Sequence, residues 1–161
     1  MRDVINFIIR GGEVTRFHTV RTIQTETNGH HSFLVATLAH LLSPSGALRG
    51  DILLAALVHD LAEHVVGDIP ANTKKSIGAY HAMEQLENEY LATVGLDVNL
   101  LMSERRVLKM ADVLAGYIFC KRERELGNKE LSIIGARYLD YLEQLAPFSN
   151  LELEVINAIT K

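Results

Sequence analysis

Several residues in this chain have the types and spacing that metal-assisted hydrolysis needs. His59-Asp60 follows directly on the apolar run Ile52-Leu53-Leu54-Ala55-Ala56-Leu57-Val58. An ionised Asp is almost never fully buried unless it is paired or binds a cation, so this placement requires an explanation. Imidazole and carboxylate together suit Mn, Co, Fe, Zn or Mg. A His-Asp hydrogen bond capping a buried helix end is the other explanation. Glu63 stands four residues after His59, about 40° round a helix of 3.6-residue period, so a continuous helix points both into one cavity. A solvated face is the alternative. His31 opens a second predicted helix, immediately before Ser32. Asp112 interrupts a third apolar helix in Lys109-Met110-Ala111-Asp112-Val113, where Lys109 or Arg105 could equally be its ion-pair partner.

The elements that must carry these residues read as helices throughout. Val4, Ile5, Ile8 and Ile9 line a short first helix that stops at Gly11-Gly12. Residues 13–29, rich in Thr, Arg, His, Gln and Asn, read as an extended loop, and a loop of that length implies a function. A helix is predicted from about His31 to Leu42, then a turn at Ser43-Pro44-Ser45-Gly46. The next runs from about Leu48 or Asp51 to His64; it is apolar on nearly every face and so central. Gly67-Asp68-Ile69-Pro70 begins a second polar loop. Further helices are expected from Ala79 to Val94, from Leu100 or Ser103 to Leu126, and from Lys129 to Leu145. Ser149 or Asn150 caps a last one, Leu151 to Ile159. No period-2 strand is visible. The fold class is all-α, a compact helical bundle.

Composition narrows the function. The chain has 161 residues, 48% of them hydrophobic, which predicts one domain over residues 1–161 with a real core. Sixteen Lys+Arg against 20 Asp+Glu give a net charge of -4, which argues against a nucleic-acid polymer as partner. The single Cys120 excludes an internal disulfide framework and fits a reducing cytoplasm. No stretch reaches the roughly 18 apolar residues of a membrane span, and the N-terminus lacks the zones of a signal peptide. A soluble cytoplasmic protein is the expectation, and its many apolar helical faces suggest a homo-oligomer.

Taken together, His, His-Asp and Asp from three helices resemble the metal-binding arrangement of the HD-domain phosphohydrolase superfamily. His59-Asp60-Leu61-Ala62-Glu63 with Gly67-Asp68-Ile69-Pro70 is similar to the corresponding stretch of the bacterial HD-domain 5'-deoxynucleotidases, the YfbR-like family. Thr15-Arg16-Phe17, Val20-Arg21-Thr22 and His31-Ser32 follow that family's N-terminal pattern, and Lys109-x-Ala111-Asp112 with Tyr117 its distal segment. The resemblance spans about residues 10 to 125. The first loop, Gly12-x-x-Thr15-Arg16-Phe17-His18-Thr19-Val20, also resembles that of the phage dATP triphosphohydrolases.

The resemblance implies a compact HD-domain bundle with His31, His59, Asp60 and Asp112 as ligands of a divalent ion (Co2+, Mn2+, Zn2+ or Mg2+). Glu63 and Asp68 look like the residues that handle the proton of the attacking water or leaving group. Arg16 and Phe17 match the positions that hold phosphate and nucleoside. Arg21, Lys74, Lys75 and Lys109 are the further cations expected to face phosphate, and Tyr117 either packs in the core or approaches the nucleoside. The chain departs from the 5'-deoxynucleotidases in having Phe17 for the usual Trp. His30 replaces the usual acidic residue before the ligand His, and His31 is taken as the ligand because it directly precedes Ser32. The implied reaction is attack of cation-activated water on phosphorus. Chain length, the first loop and Lys74-Lys75 favour splitting dATP or another dNTP into deoxynucleoside and triphosphate. Release of phosphate from deoxynucleoside 5'-monophosphates is the alternative, and a non-catalytic nucleotide-binding module a third reading. Of the remaining residues, His40 is expected in the core or beside the ligands, Cys120 as a buried small hydrophobe, and Lys121-Arg122-Glu123-Arg124-Glu125 as an exposed charged face.

Overall fold

The computed structural model describes residues 1–44 and 50–161, the side chains of residues 71 and 72 excepted. Helices follow in the order α1 (Arg2–Glu13), α2 (Asn28–Leu42), α3 (Gly50–Val58), α4 (Glu63–Val66), α5 (Ala71–Ser76), α6 (Tyr80–Thr93), α7 (Met102–Glu125), α8 (Ser132–Glu143) and α9 (Asn150–Thr160). A 3-10 turn, Lys129–Leu131, leads into α8. The only extended pairing among the described residues is one antiparallel bridge between Thr15 and Thr27. The all-α expectation therefore holds. Leu48 as a helix start and the Ser45-Gly46 half of the predicted turn lie outside the described residues.

The bundle is organised around α2 and α7. Val35, Leu38, Ala39 and Leu42 of α2 pack with Met110, Ala111, Val113, Leu114 and Ala115 of α7, and Ala56 of α3 joins them. Small residues at the contact allow close approach of the helices, and this seam places His31 and Asp112 opposite each other. Arg106 of α7 pairs with Glu152 of α9. Glu152 also completes a reciprocal cap with Ser149 at the start of that helix.

Three boundaries differ from the periodicity reading. Helix α1 runs through Gly11-Gly12 to Glu13. Gly11 serves a close approach rather than a stop: a Cβ there would lie 2.5 Å from the Leu61 carbonyl oxygen and 2.7 Å from Leu61 Cα. Helix α3 ends at Val58, not His64; residues 59–62 form a turn stitched by Leu61 N–H to Val58 O (3.0 Å) and Glu63 N–H to Asp60 O (3.1 Å). Helix α2 starts at Asn28, three residues early, because the Thr27 hydroxyl accepts from the His30 N–H at 3.4 Å.

Candidate active site

The loop between α1 and α2 is held at both ends. Arg16 N–H donates to Glu26 O at 3.0 Å and Asn28 N–H to Val14 O at 2.9 Å. Its far side is tied to α7: both Glu123 carboxylate oxygens accept backbone N–H groups, Ile23 and Gln24, at 2.7 Å each, and Asn128 Nδ2 adds a third bond at 2.8 Å. Glu123 is fully buried, contrary to the exposed charged face expected for 121–125. Its carboxyl resists the upward pressure of burial and lies below the usual carboxylate range because these donors stabilise the anion. The loop thereby delivers Arg16 to the end of α3.

There, one ligand atom each from His31, His59 and Asp60 lies within 4.8 Å of the others. Asp60 Oδ2 is 3.2 Å from His59 Nε2 and 3.8 Å from His31 Nε2. Asp112 Oδ1 is 3.1 Å from His31 Nε2, while Lys109 Nζ holds its other oxygen at 2.8 Å. His31 is fully buried and His30 exposed, so the imidazole that faces the acids is that of residue 31. His59 Nδ1 faces the Ala56 carbonyl at 2.9 Å. Nδ1 donates to that carbonyl, which aims Nε2 inward at Asp60 Oδ2, 3.2 Å away but outside hydrogen-bond geometry, so that buried nitrogen makes no hydrogen bond. An orphaned imidazole nitrogen beside a second imidazole and a carboxylate is a donor set that fits a divalent cation.

Arg16 sits on the same carboxylate. Its Nη1 is 2.5 Å from Asp60 Oδ2, and its Nε is 3.3 Å from Glu26 Oε2. The guanidinium is mostly buried among acids, and their pull overcomes burial and keeps it charged. Burial also raises Glu26 to about 7 against the attraction of Arg16. For Asp60, burial works upward, but His59 and Arg16 outweigh it and hold the carboxyl far below its usual range. Burial presses the His59 imidazolium down; Asp60 more than offsets this and carries it to about 9. Glu63 behaves oppositely to Asp60. Burial and the neighbouring charges of Asp60 and Asp68 push it up to about 8.

Asn28, fully buried, joins these parts, and the sequence reading did not single it out. Its Nδ2 donates at 2.9 Å to Glu63 Oε2 and at 2.9 Å to the Asp60 carbonyl, and its Oδ1 is 3.4 Å from Arg16 Nη1. An amide with both functions placed between a cation and a carboxyl fixes both, but nothing in its residue type announces that.

The other expected site residues divide. Asp68 lies 3.2 Å from His18 Nδ1, close enough for its charge to act on Glu63. Phe17, at φ 55°, stacks on Phe119 with ring centroids 4.7 Å apart. Lys74 pairs with Glu87 at 2.7 Å, and the charges of Glu63 and Asp60 reach it. Arg21 and Lys75 are exposed. Tyr117 is buried in α7, about 140° round the helix from Asp112 at 100° per residue. His40 is exposed, not in the core: it lines an apolar surface groove with Phe33, Leu41 and Leu57. Cys120 is fully buried, as expected.

Comparison with known proteins agrees with this geometry. The chain is 28% identical over 153 residues, 81% of its length and 77% of theirs, to proteins named 5'-deoxynucleotidase YfbR from Salmonella paratyphi B and Salmonella newport. Among solved structures it resembles the cyanophage S-2L HD phosphohydrolase DatZ, bound to dA and one catalytic Zn2+ ion. The TM-score is 0.74, with 17% identity over 96% of this chain and 92% of that one. It also resembles PH0347 from Pyrococcus horikoshii, with a TM-score of 0.69 and 20% identity over 99% of this chain and 98% of that one. A family model described as the HD domain matches residues 13–110, the segment that carries Arg16, His31, His59, Asp60 and Glu63. This chain belongs to the HD-domain family of metal-dependent phosphohydrolases.

Proposed function

We propose that this protein hydrolyses deoxynucleotides at the phosphorus nearest the sugar, splitting dATP or a related dNTP into deoxynucleoside and triphosphate. The observation that carries the reading is the convergence of His31, His59 and Asp60 with Asp112 and Arg16 at the end of α3. In this assignment His31, His59, Asp60 and Asp112 hold the cation. A divalent ion supplies an acidified water and neutralises phosphoryl charge. Oxygen of water bonds to phosphorus, the P–O5' bond breaks, and O5' takes a proton.

The protein's own residues then have separate tasks. Arg16 binds the phosphoryl oxygens, since a guanidinium offers paired donors to them. Glu63, with its pKa near neutrality, moves a proton to or from the reacting oxygens. Burial and Asp60 keep that pKa high, and Asp68 adds to them. Lys109 orients Asp112, and Phe17 forms one wall for the nucleoside. Lys74 extends the cationic track for a longer phosphate chain; Arg21 and Lys75, being exposed, contribute only long-range attraction. The similarity to the YfbR proteins favours the second reading, removal of phosphate from deoxynucleoside 5'-monophosphates by the same residues.

Incubation with dATP and dAMP separately, under several divalent ions, distinguishes the two. Free triphosphate establishes the first reaction. Turnover of dAMP alone establishes the second. Nucleotide binding without turnover of either refutes both in favour of a binding module. Asp60→Asn is expected to abolish cation binding and activity together. We further propose one domain over residues 1–161, a cytoplasmic location and a homo-oligomer. Exposed apolar side chains such as Phe33, Leu41 and Leu57 support the last, and sedimentation of the purified protein tests it.

A further inference from the structure

Tyr138 of α8 is absent from every role assigned so far, yet the charges of Arg16 and Asp112 both act on it. It covers Gly116 of α7: a Cβ at Gly116 would stand 2.6 Å from Tyr138 Cε1 and 2.7 Å from its hydroxyl oxygen. No other residue type leaves room for the ring in that position. Gly116 is one turn after Asp112, about 6 Å along the axis. On its other side Tyr138 packs with Phe17, Val20 and Ile134 against the cluster of Phe119, Cys120 and Leu131. The ring therefore stands between the ligand end of α7 and the Phe17–Phe119 stack. Its hydroxyl makes no hydrogen bond with any described residue and is not sealed from solvent, so it is free to bond a ligand.

The position matches one part of the substrate. If phosphate lies against Arg16 and the cation that Asp112 would help hold, and the base lies towards Phe17, the sugar lies between them. A 2'-deoxynucleotide esterified at O5' has a single free sugar hydroxyl, at C3'. We propose that the Tyr138 hydroxyl is a specificity-determining contact that hydrogen-bonds the 3'-hydroxyl of the bound deoxynucleoside. The inference rests on the deoxynucleotide reading above. Burial, and beyond it Asp112, raise the phenol well above its ordinary pKa despite the opposing pull of Arg16, so it remains a donor at neutral pH. Gly116 is the seat that permits this reach.

The test measures calorimetric binding of 2'-deoxyadenosine and 2',3'-dideoxyadenosine to the Mn2+-loaded protein, then repeats it with Tyr138→Phe. The wild type should prefer the 3'-hydroxylated nucleoside about tenfold, the equivalent of one charge-free hydrogen bond. Tyr138→Phe should bind the two within about twofold of each other, with unchanged cation affinity and an unchanged helical circular-dichroism spectrum. Rates on dAMP and 2',3'-dideoxy-AMP, or on the matching triphosphates, should lose their ratio in parallel. Equal weakening of both nucleosides, or a preference that survives the substitution, overturns the inference. Wild-type protein that binds and hydrolyses no deoxynucleotide of any base overturns the deoxynucleotide reading itself, and this inference with it.

Discussion

Glu63 and Asp60 are two carboxyls three residues apart with opposite protonation tendencies. Asp60 has His59 and Arg16 against it and stays ionised. Glu63 is buried near the negative charges of Asp60 and Asp68, and burial first and those charges second outweigh the Asn28 amide and Arg16, so it keeps a proton up to about pH 8. Pairs of carboxyls pushed apart in this way divide into a fixed charge and a proton carrier. Glu63→Gln should keep cation affinity within a few-fold while turnover falls by roughly 10²–10⁴; unchanged turnover would remove Glu63 from its assigned role. Asn28→Ala should leave Glu63 in place chemically but free to rotate. We expect kcat to fall by about tenfold or more with little change in KM, and Asn28→Ser, which keeps one donor, to recover part of it. The proposed cation ligands and Glu63 are legible in the sequence because acids and imidazoles are anomalous beside apolar helix runs. Asn28 and Tyr138 are not, because an amide in a loop and a phenol on a half-buried helix face are ordinary in sequence. Only contacts 32 to 35 residues away for Asn28, and the bare backbone of Gly116 for Tyr138, give them a task.

Among the elements, apolar spacing placed the long helices α2, α6 and α7 within a few residues, since burial of a stripe dictates both. It failed where tertiary contact overrides local pattern. Gly11-Gly12 reads as a stop, but α1 continues because Leu61 needs the space that Gly11 leaves. The run from Ile52 reads as one helix to His64, but a turn at 59–62 breaks it at the very residues that form the site. Helix α5 was hidden in a polar loop for want of any apolar period. The charged stretch 121–125 reads as a solvated face, but its one buried member, Glu123, clamps the α1–α2 loop by accepting two of that loop's backbone N–H groups, with Asn128 as a further donor. Glu123→Ala should strand two backbone N–H groups, costing on the order of 2–4 kcal/mol of stability, since bonds to a charged acceptor are among the stronger ones. Limited proteolysis should then cut between residues 14 and 27 before any other segment, with phosphate affinity lost as Arg16 leaves Asp60. A variant cut no faster there would show that the Thr15–Thr27 bridge holds the loop without help from α7.

At the scale of the whole molecule, the site is a concentration of charge that the bundle must tolerate when no cation balances it. His59, Glu63 and Glu26 all have folded-state pKa values above their ordinary ones, about 9, 8 and 7. Each binds its proton more tightly in the folded chain, so each contributes stability that is present at low pH and lost as pH rises through those values. Asp60 and Asp112 are depressed instead, and their contribution disappears as pH falls below about 4, their ordinary carboxylate value. Chelator-treated protein should therefore be most stable near pH 4 to 4.5, where Glu63 and Glu26 hold their protons and the two aspartates stay ionised, and should lose on the order of a few kcal/mol by pH 9. A divalent ion reverses the slope, because it competes with the proton on His59 and favours the ionised form of Glu63. At a free concentration of 100 Kd it should add about 2.7 kcal/mol of stability, and its Kd should tighten from pH 6 to pH 9. Thermal melts across that range with chelator, with Mn2+ and with Zn2+ measure both slopes. Asp60→Asn should melt identically with and without the ion. A wild-type curve that rises with pH in chelator would mean that the three raised groups do not dominate the balance, and that the charge held by Asp60, Asp112 and Arg16 does.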